Sequence, residues 1–365
     1  MTSKKRNQQI ILIVAAVVVV AALVLLGIKF FGGGEADNGI STTGNQTTLP
    51  TTQGNNSAAV NPLTGIGGYD QKFLDSRPVA VIISNAPAAR PQWGLSTPDI
   101  LVEGLVEGGV TRMLGFYANV GEIPDKIGPI RSARHDFIEF AQGFDAFFIH
   151  WGGSTYAYNA LRNKSRHIDN VDGMAGTYFH RDKNRTNVGI EHRGYTTGSD
   201  IERAINDKKF RTEIKGEYKS PLSLSPEGSP ITYSGGACQS IKIEFSGSFK
   251  HKFVYDPEKK LYFNYFNGNA MNDANGKQSS ATNVIVLYCG IKSMQDKKGC
   301  IDMDLSSGSG IAVSNGTYQN ITWKKGGYDD ALKLYAPDGK ELTLNAGKSY
   351  IGLVPTTKSS NTVIE

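Results

Sequence analysis

Glu103 and Glu107 stand four residues apart, a spacing that places two carboxylates on one face of a helix. Given different environments, such a pair divides into a general acid and a general base. In water it is two solvated glutamates with a weak mutual repulsion. Arg131 and Arg134 bracket Ser132, where the sequence predicts a helix start. Cations are disfavoured at that positive end, so the two arginines call for an anion. Glu103 or Glu107 would supply it within a structural network, and a phosphate or carboxylate would supply it as a ligand. His150 closes an apolar strand just before Trp151-Gly-Gly-Ser154. Ligands of open α/β sheets gather beyond the carboxyl ends of the strands. A histidine at that point serves as general base, metal ligand or satisfied core side chain.

The segment His180-Arg-Asp-Lys-Asn-Arg-Thr-Asn187 spells the catalytic-loop string of protein kinases. Neither a glycine-rich loop with its lysine nor a following Asp-Phe-Gly accompanies it, so the match is accidental. Its residues remain polar groups on a loop leaving a strand, able to join the same cleft. The candidate acid–base set is therefore Glu103, Glu107, His150 and Asp182. The candidate ligand-binding set is Arg112, Arg131, Arg134, Arg185 and His192. His150, His180 and His192 lack metal-ligand spacing, and no G-x-S-x-G elbow is present. Neither metal nor cofactor is expected.

The elements that would carry these residues change character along the chain. Between Asn61 and about Lys219, apolar strands (Pro78–Ile83, Arg112–Ala118, Ala146–His150) alternate with helical patterns. Helices are predicted from Ser96 to Gly108-Gly109, from Ser132 to Gln142, and after Ser154 as far as Leu161. Strands alternating with helices indicate an α/β domain with a largely parallel sheet, over 61–220. Over 221–356 short alternating runs dominate: SIKIEF, KFVYD, KLYFNYF, NVIVLY, GIAVSN, YQNITWKK, LKLYA and SYIGLVP. Asn275-Gly276, Asn315-Gly316 and Asp338-Gly339 mark turns between them. This is a β-rich domain, followed by a tail over 357–365. The three cysteines, Cys238, Cys289 and Cys300, are an odd count that rules out a disulfide framework. Cys289 and Cys300 flank a polar stretch, where a bridge and buried free thiols are both open.

Ile10–Ile28 is an unbroken apolar run of 19 residues, about 28 Å long as a helix and so about as long as a bilayer core is thick. Lys4, Lys5 and Arg6 precede it, which predicts a cytoplasmic tail over 1–9, a single membrane anchor over 10–31 and an extracytoplasmic remainder. The run is long for a cleaved signal peptide. Residues 32–60, rich in Gly, Ser, Thr, Asn and Gln, read as a disordered tether. The net charge of +5, from 39 basic and 34 acidic residues, is too weak and dispersed for nucleic acid.

Asn61-Pro-Leu-Thr-Gly65, Arg77-Pro-Val-Ala80, Ala88-Ala-Arg-Pro-Gln92 and Gly94-Leu-Ser96 occur in an order that resembles the YerB-like family of bacterial envelope lipoproteins. Asp99-Ile-Leu-Val-Glu103, Val106-Glu-Gly-Gly109, Gly128-Pro-Ile-Arg-Ser-Ala-Arg134 and His150-Trp-Gly-Gly-Ser154 continue the likeness. Ala281-Thr-Asn-Val-Ile-Val286, Gly308-Ser-Gly310 and Thr322-Trp-Lys324 extend it through the second half. The resemblance implies a membrane-attached extracytoplasmic protein with two domains of unknown function, and no catalytic role comes with it. This chain departs from many members in offering an apolar run where they carry a lipid-modified cysteine. The expected function is binding of an anionic or glycan wall ligand in a cleft of the first domain, with wall polymer or envelope proteins as partners. The rival expectation is a hydrolase or transferase acting on wall glycan or lipid-linked phosphate.

Overall fold

Asn315 and Gly316 both take positive φ, 48° and 70°, as a two-residue type I′ turn requires, and Ser314 pairs with Thr317 across them. That hairpin lies within the larger of two main sheets. The structure is a computed structural model that describes residues 59–163, 167–216 and 220–365. The apolar run Ile10–Ile28 and nearly all of the tether lie outside the described residues. Among the described residues no helix is long and apolar enough to cross a membrane.

Five strands of the first half are β1 (Val79–Ser84), β2 (Ile100–Leu105), β3 (Thr111–Tyr117), β4 (Phe147–His150) and β5 (Asn170–Asp172). Three α-helices accompany them: α1 (His135–Gln142), α2 (Thr155–Arg162) and α3 (Gly198–Asp207). The large sheet has ten strands. Its order is Lys333–Tyr335, Thr317–Lys324, Ser307–Ser314, Asn283–Cys289, Ser349–Pro355, then β2, β3, β1, β4 and β5. The two halves of the chain thus meet edge to edge, where β2 runs parallel to Ser349–Pro355. Each of the eight alternating runs read in the second half contains a strand.

Two expectations are corrected. The first half is a mixed sheet, because β2–β3 and β1–β3 are antiparallel while β1–β4 and β4–β5 are parallel. The reason is the second correction: the helix expected after Ser96 is strand β2. Its burial covers both faces almost completely, and a short apolar run with no polar face has no period that separates helix from strand. Val106–Val110 then closes a hairpin instead of a crossover, with the Val106 N–H donating to the Val110 carbonyl.

Each face of the large sheet has its own core. Ala80, Ile82, Val102, Leu114, Phe116 and Phe148 pack with Phe137 and Phe140 of α1 and Ala157 of α2. On the other face, Val81, Ile83, Leu101, Met113 and Ile149 pack with Ile201 and Ile205 of α3. The same face receives Ile243, Phe245 and Phe253 from the second sheet, whose longest strands are Ser240–Ser246, Phe249–Asp256 and Leu261–Phe266. Ser57–Glu365 forms one compact unit, and among the described residues both cores lie at or beyond Ala59, so a fragment beginning there keeps that unit and can fold by itself. All three cysteines are free and buried.

Candidate functional site

The parallel trio β1, β4 and β5 ends on one side of the sheet, and a cavity of about 400 Å³ opens beyond the ends of β4 and β5. His150 is the last residue of β4 and is wholly buried. Its Nδ1 lies 2.8 Å from the Gly152 carbonyl and its Nε2 3.2 Å from Asn170 Oδ1. Asp172, the last residue of β5, accepts from the Gly152 N–H at 2.8 Å, the Met174 N–H at 3.0 Å and the Tyr158 hydroxyl at 2.9 Å. One histidine and one aspartate therefore fix the turn that leads into α2. Ser154 caps that helix by accepting from the Ala157 N–H.

The Trp151 ring lies beside two glycines. A Cβ on Gly173 would stand 2.6 Å from the indole and one on Gly194 2.7 Å from it. Gly194→Ala is accordingly expected to displace the indole and to destabilise the protein by about 1–3 kcal/mol. Chemical denaturation with tryptophan fluorescence as the readout measures both effects.

The cavity is lined by Arg131, Ser132, Tyr158, Met174, Arg181 and Glu191, besides Ile130, Trp151, Gly152, Gly153 and Gly194. Arg181 stacks on Trp151, 4.4 Å from the ring centroid, and donates to the Ile190 carbonyl at 2.6 Å. Glu191 carries a carboxyl held below its ordinary range, first by a hydrogen bond from its own backbone and then by the charges of His192, Arg131 and Arg181. Behind the Ser132 wall lies Arg112. It is 8% exposed and donates to the Ser132 carbonyl at 2.6 Å. Burial, and next the neighbouring Arg134, push its guanidinium down to about 9. Arg134 itself forms a bidentate pair with Glu107, at 2.6 and 2.7 Å. Burial would raise the Glu107 carboxyl, but Arg134 brings it below the usual range. His192 is lowered by burial and by Arg131, against the pull of Glu191.

The predicted residues thus divide. Arg131 lines the cavity, and Arg112, Arg134 and His192 are coupled to it electrostatically. The other predicted residues have structural partners. Glu103 is on a strand and fully buried, so it shares no helical face with Glu107. Its Oε1 accepts from Asn85 at 3.0 Å and Thr111 at 2.5 Å and lies 3.1 Å from His251 Nε2; its Oε2 accepts from the Tyr350 hydroxyl at 2.9 Å. Asp182 pairs with Lys126 and accepts from the Asn184 N–H. Arg185 lies over Trp93 and donates to the Ala89 and Pro91 carbonyls. The proposed acid–base quartet is therefore dispersed. The helix after Pro129 begins at His135, three residues later than expected, with Arg134 as its N-cap.

Sequence reading missed Arg181, Glu191, Tyr158 and Asp172 as site residues. The signal for the first two was the polar density of 180–193, and for Asp172 it was the strand end. One His/Asp group among the described residues, His135, Asp136 and Asp302, is close enough to share a metal ion. None of the three lines the cavity, and Asp136 Oδ1 already accepts from the Met303 N–H.

Fold and cavity together define a class of protein: two halves joined through one mixed sheet, with an arginine-lined cavity at the carboxyl ends of its parallel strands. The chain belongs to the family described as protein of unknown function (DUF3048). The N-terminal domain of that family matches residues 63–211 and its C-terminal domain matches 241–351. YerB of Bacillus subtilis (strain 168), a protein named among lipoproteins, is 30% identical over 300 residues, covering 80% of this chain and 86% of YerB. The crystal structure of YerB from Bacillus subtilis is similar with a TM-score of 0.71 at 27% identity, covering 84% of this chain and 99% of that one. The YerB-like resemblance read from the motifs is therefore the correct family.

Proposed function

We propose that this chain is a membrane-attached, extracytoplasmic envelope protein that binds an anionic envelope ligand, bearing phosphate or carboxylate, in the Arg131–Arg181 cavity. One observation carries the reading. Arg112, Arg131, Arg134 and Arg181 stand around Glu107 and Glu191, the nearby Asp172 is already engaged by three donors, and Arg112 is buried with no ion pair among the described residues. An arriving anion relieves that imbalance in a setting of reduced dielectric, where charge-assisted hydrogen bonds are strong. Trp151 and Tyr158 give the same cavity two aromatic rings against which a sugar can pack. The attachment is supported by the lipoprotein name of YerB and by the basic residues ahead of the Ile10–Ile28 run. The hydrolase or transferase reading is not favoured, because its four acid–base residues do not converge.

Calorimetric titration of the 59–365 fragment with wall-derived anionic polymer tests the reading. Arg181→Ala is expected to weaken binding about tenfold, the loss of one charge-assisted contact. Glu191→Gln is expected to strengthen it, because the carboxylate competes with the ligand for both arginines. Equal affinities for wild type and both variants would exclude the cavity as the binding site.

A further inference from the structure

Six large hydrophobic side chains are exposed among the described residues, and the two most exposed, Met174 at 69% and Ile190 at 60%, stand at this one cavity. Met174 lines it, and Ile190 adjoins the lining residue Glu191. Both are held outward by ordered backbone. The Met174 N–H donates to Asp172, and the turn ends at Gly176 in the left-handed region. The Ile190 loop is fastened by Arg181 to the Ile190 carbonyl and by Arg193 to the carbonyls of Thr186 and Val188. Apolar groups displayed this way around a cationic centre match the boundary between anionic headgroups and acyl chains. From Arg181 to Arg193 the chain carries four cationic and two acidic side chains, and Lys183 is exposed.

We infer that the anionic group bound in the cavity is the phosphate of a lipid presented at a membrane surface, with Met174 and Ile190 entering the interface beside it. This rests on the reading of the cavity as an anion site. Arg131 and Arg181 take the phosphate oxygens, and Met174 and Ile190 bury their side chains where the acyl chains begin.

Co-sedimentation of the 59–365 fragment with phosphatidylcholine vesicles, with and without phosphatidylglycerol, tests this, alongside titration with soluble glycerol 1-phosphate. Wild type is expected to bind only the phosphatidylglycerol-containing vesicles. Ile190→Ser is expected to weaken that binding roughly tenfold, the worth of one buried aliphatic side chain, while keeping wild-type affinity for glycerol 1-phosphate. Met174→Ser should also weaken vesicle binding, and Arg131→Ala should abolish binding of both probes. Glycerol 1-phosphate bound without vesicle binding would overturn the lipid inference and leave the anion site standing. So would vesicle binding indifferent to Ile190→Ser or Arg131→Ala. Failure of both probes would overturn the site as well.

Discussion

Glu103→Ala is expected to lower the unfolding free energy by about 3–5 kcal/mol, the cost of taking one shared acceptor away from the buried side chains Asn85, Thr111, His251 and Tyr350. Glu103 sits on β2, His251 on Phe249–Asp256 and Tyr350 on Ser349–Pro355, so one carboxylate ties the first half to both sheets of the second. His251 faces acceptors on both ring nitrogens, Asn264 Oδ1 at 2.8 Å and Glu103 Oε1 at 3.1 Å. Burial alone would raise the Glu103 carboxyl. The charge of His251 and the hydrogen bonds from His251, Thr111 and Tyr350 outweigh it and hold the carboxyl below its ordinary value. A carboxyl lowered by folding stabilises the protein above its unfolded-state value, about 4.3. That contribution fades as pH falls through the folded-state value. Urea unfolding of wild type and Glu103→Ala should therefore show a gap that is full at neutral pH and narrows under acid. A gap below about 1 kcal/mol at pH 7 would show that the network is worth no more than an ordinary hydrogen bond.

The strands of the second half were legible because each buries one face or lies between turns of unmistakable chemistry. Asn315-Gly316 determines its own backbone, and Ser307–Ser314 and Thr317–Lys324 follow from it. β2 was misread because nothing in six residues reports that both faces are covered. Ile100 and Val102 are covered in the core that holds Phe137, and Leu101 and Glu103 are covered by the second sheet, which brings Phe253 and His251 from far away in sequence. The error then spread to chemistry, since helical spacing alone had joined Glu103 to Glu107. Strand ends were a better guide. His150 and Asp172 both close strands whose exits frame the cavity, although each positions backbone instead of facing the ligand space. Arg131 and Arg134 were recognised as a pair in need of an anion. Their division of labour could not be seen, because it depends on which way each side chain leaves the loop.

That division gives the sharpest functional contrast. Arg134 and Glu107 are only 14% and 19% exposed, and their bidentate contact joins the start of α1 to the turn after β2. Arg134→Ala is expected to cost about 2–3 kcal/mol of stability, as for a lost hydrogen bond between charged groups. Arg131 has backbone bonds of its own, its N–H donating to the Ile82 carbonyl and its carbonyl accepting from the Trp151 N–H. Those bonds survive truncation of the side chain, so Arg131→Ala should leave the melting temperature of the free protein nearly unchanged. It should weaken binding of wall-derived anionic polymer about 100-fold, the worth of two charge-assisted hydrogen bonds to one anion. It should also remove most of the ligand-induced rise in melting temperature. Thermal melts of the two variants with and without the polymer read both quantities in one experiment. If Arg131→Ala lowered stability as much as Arg134→Ala and left the ligand shift intact, both arginines would be structural. The cavity would then lose its claim to the anion.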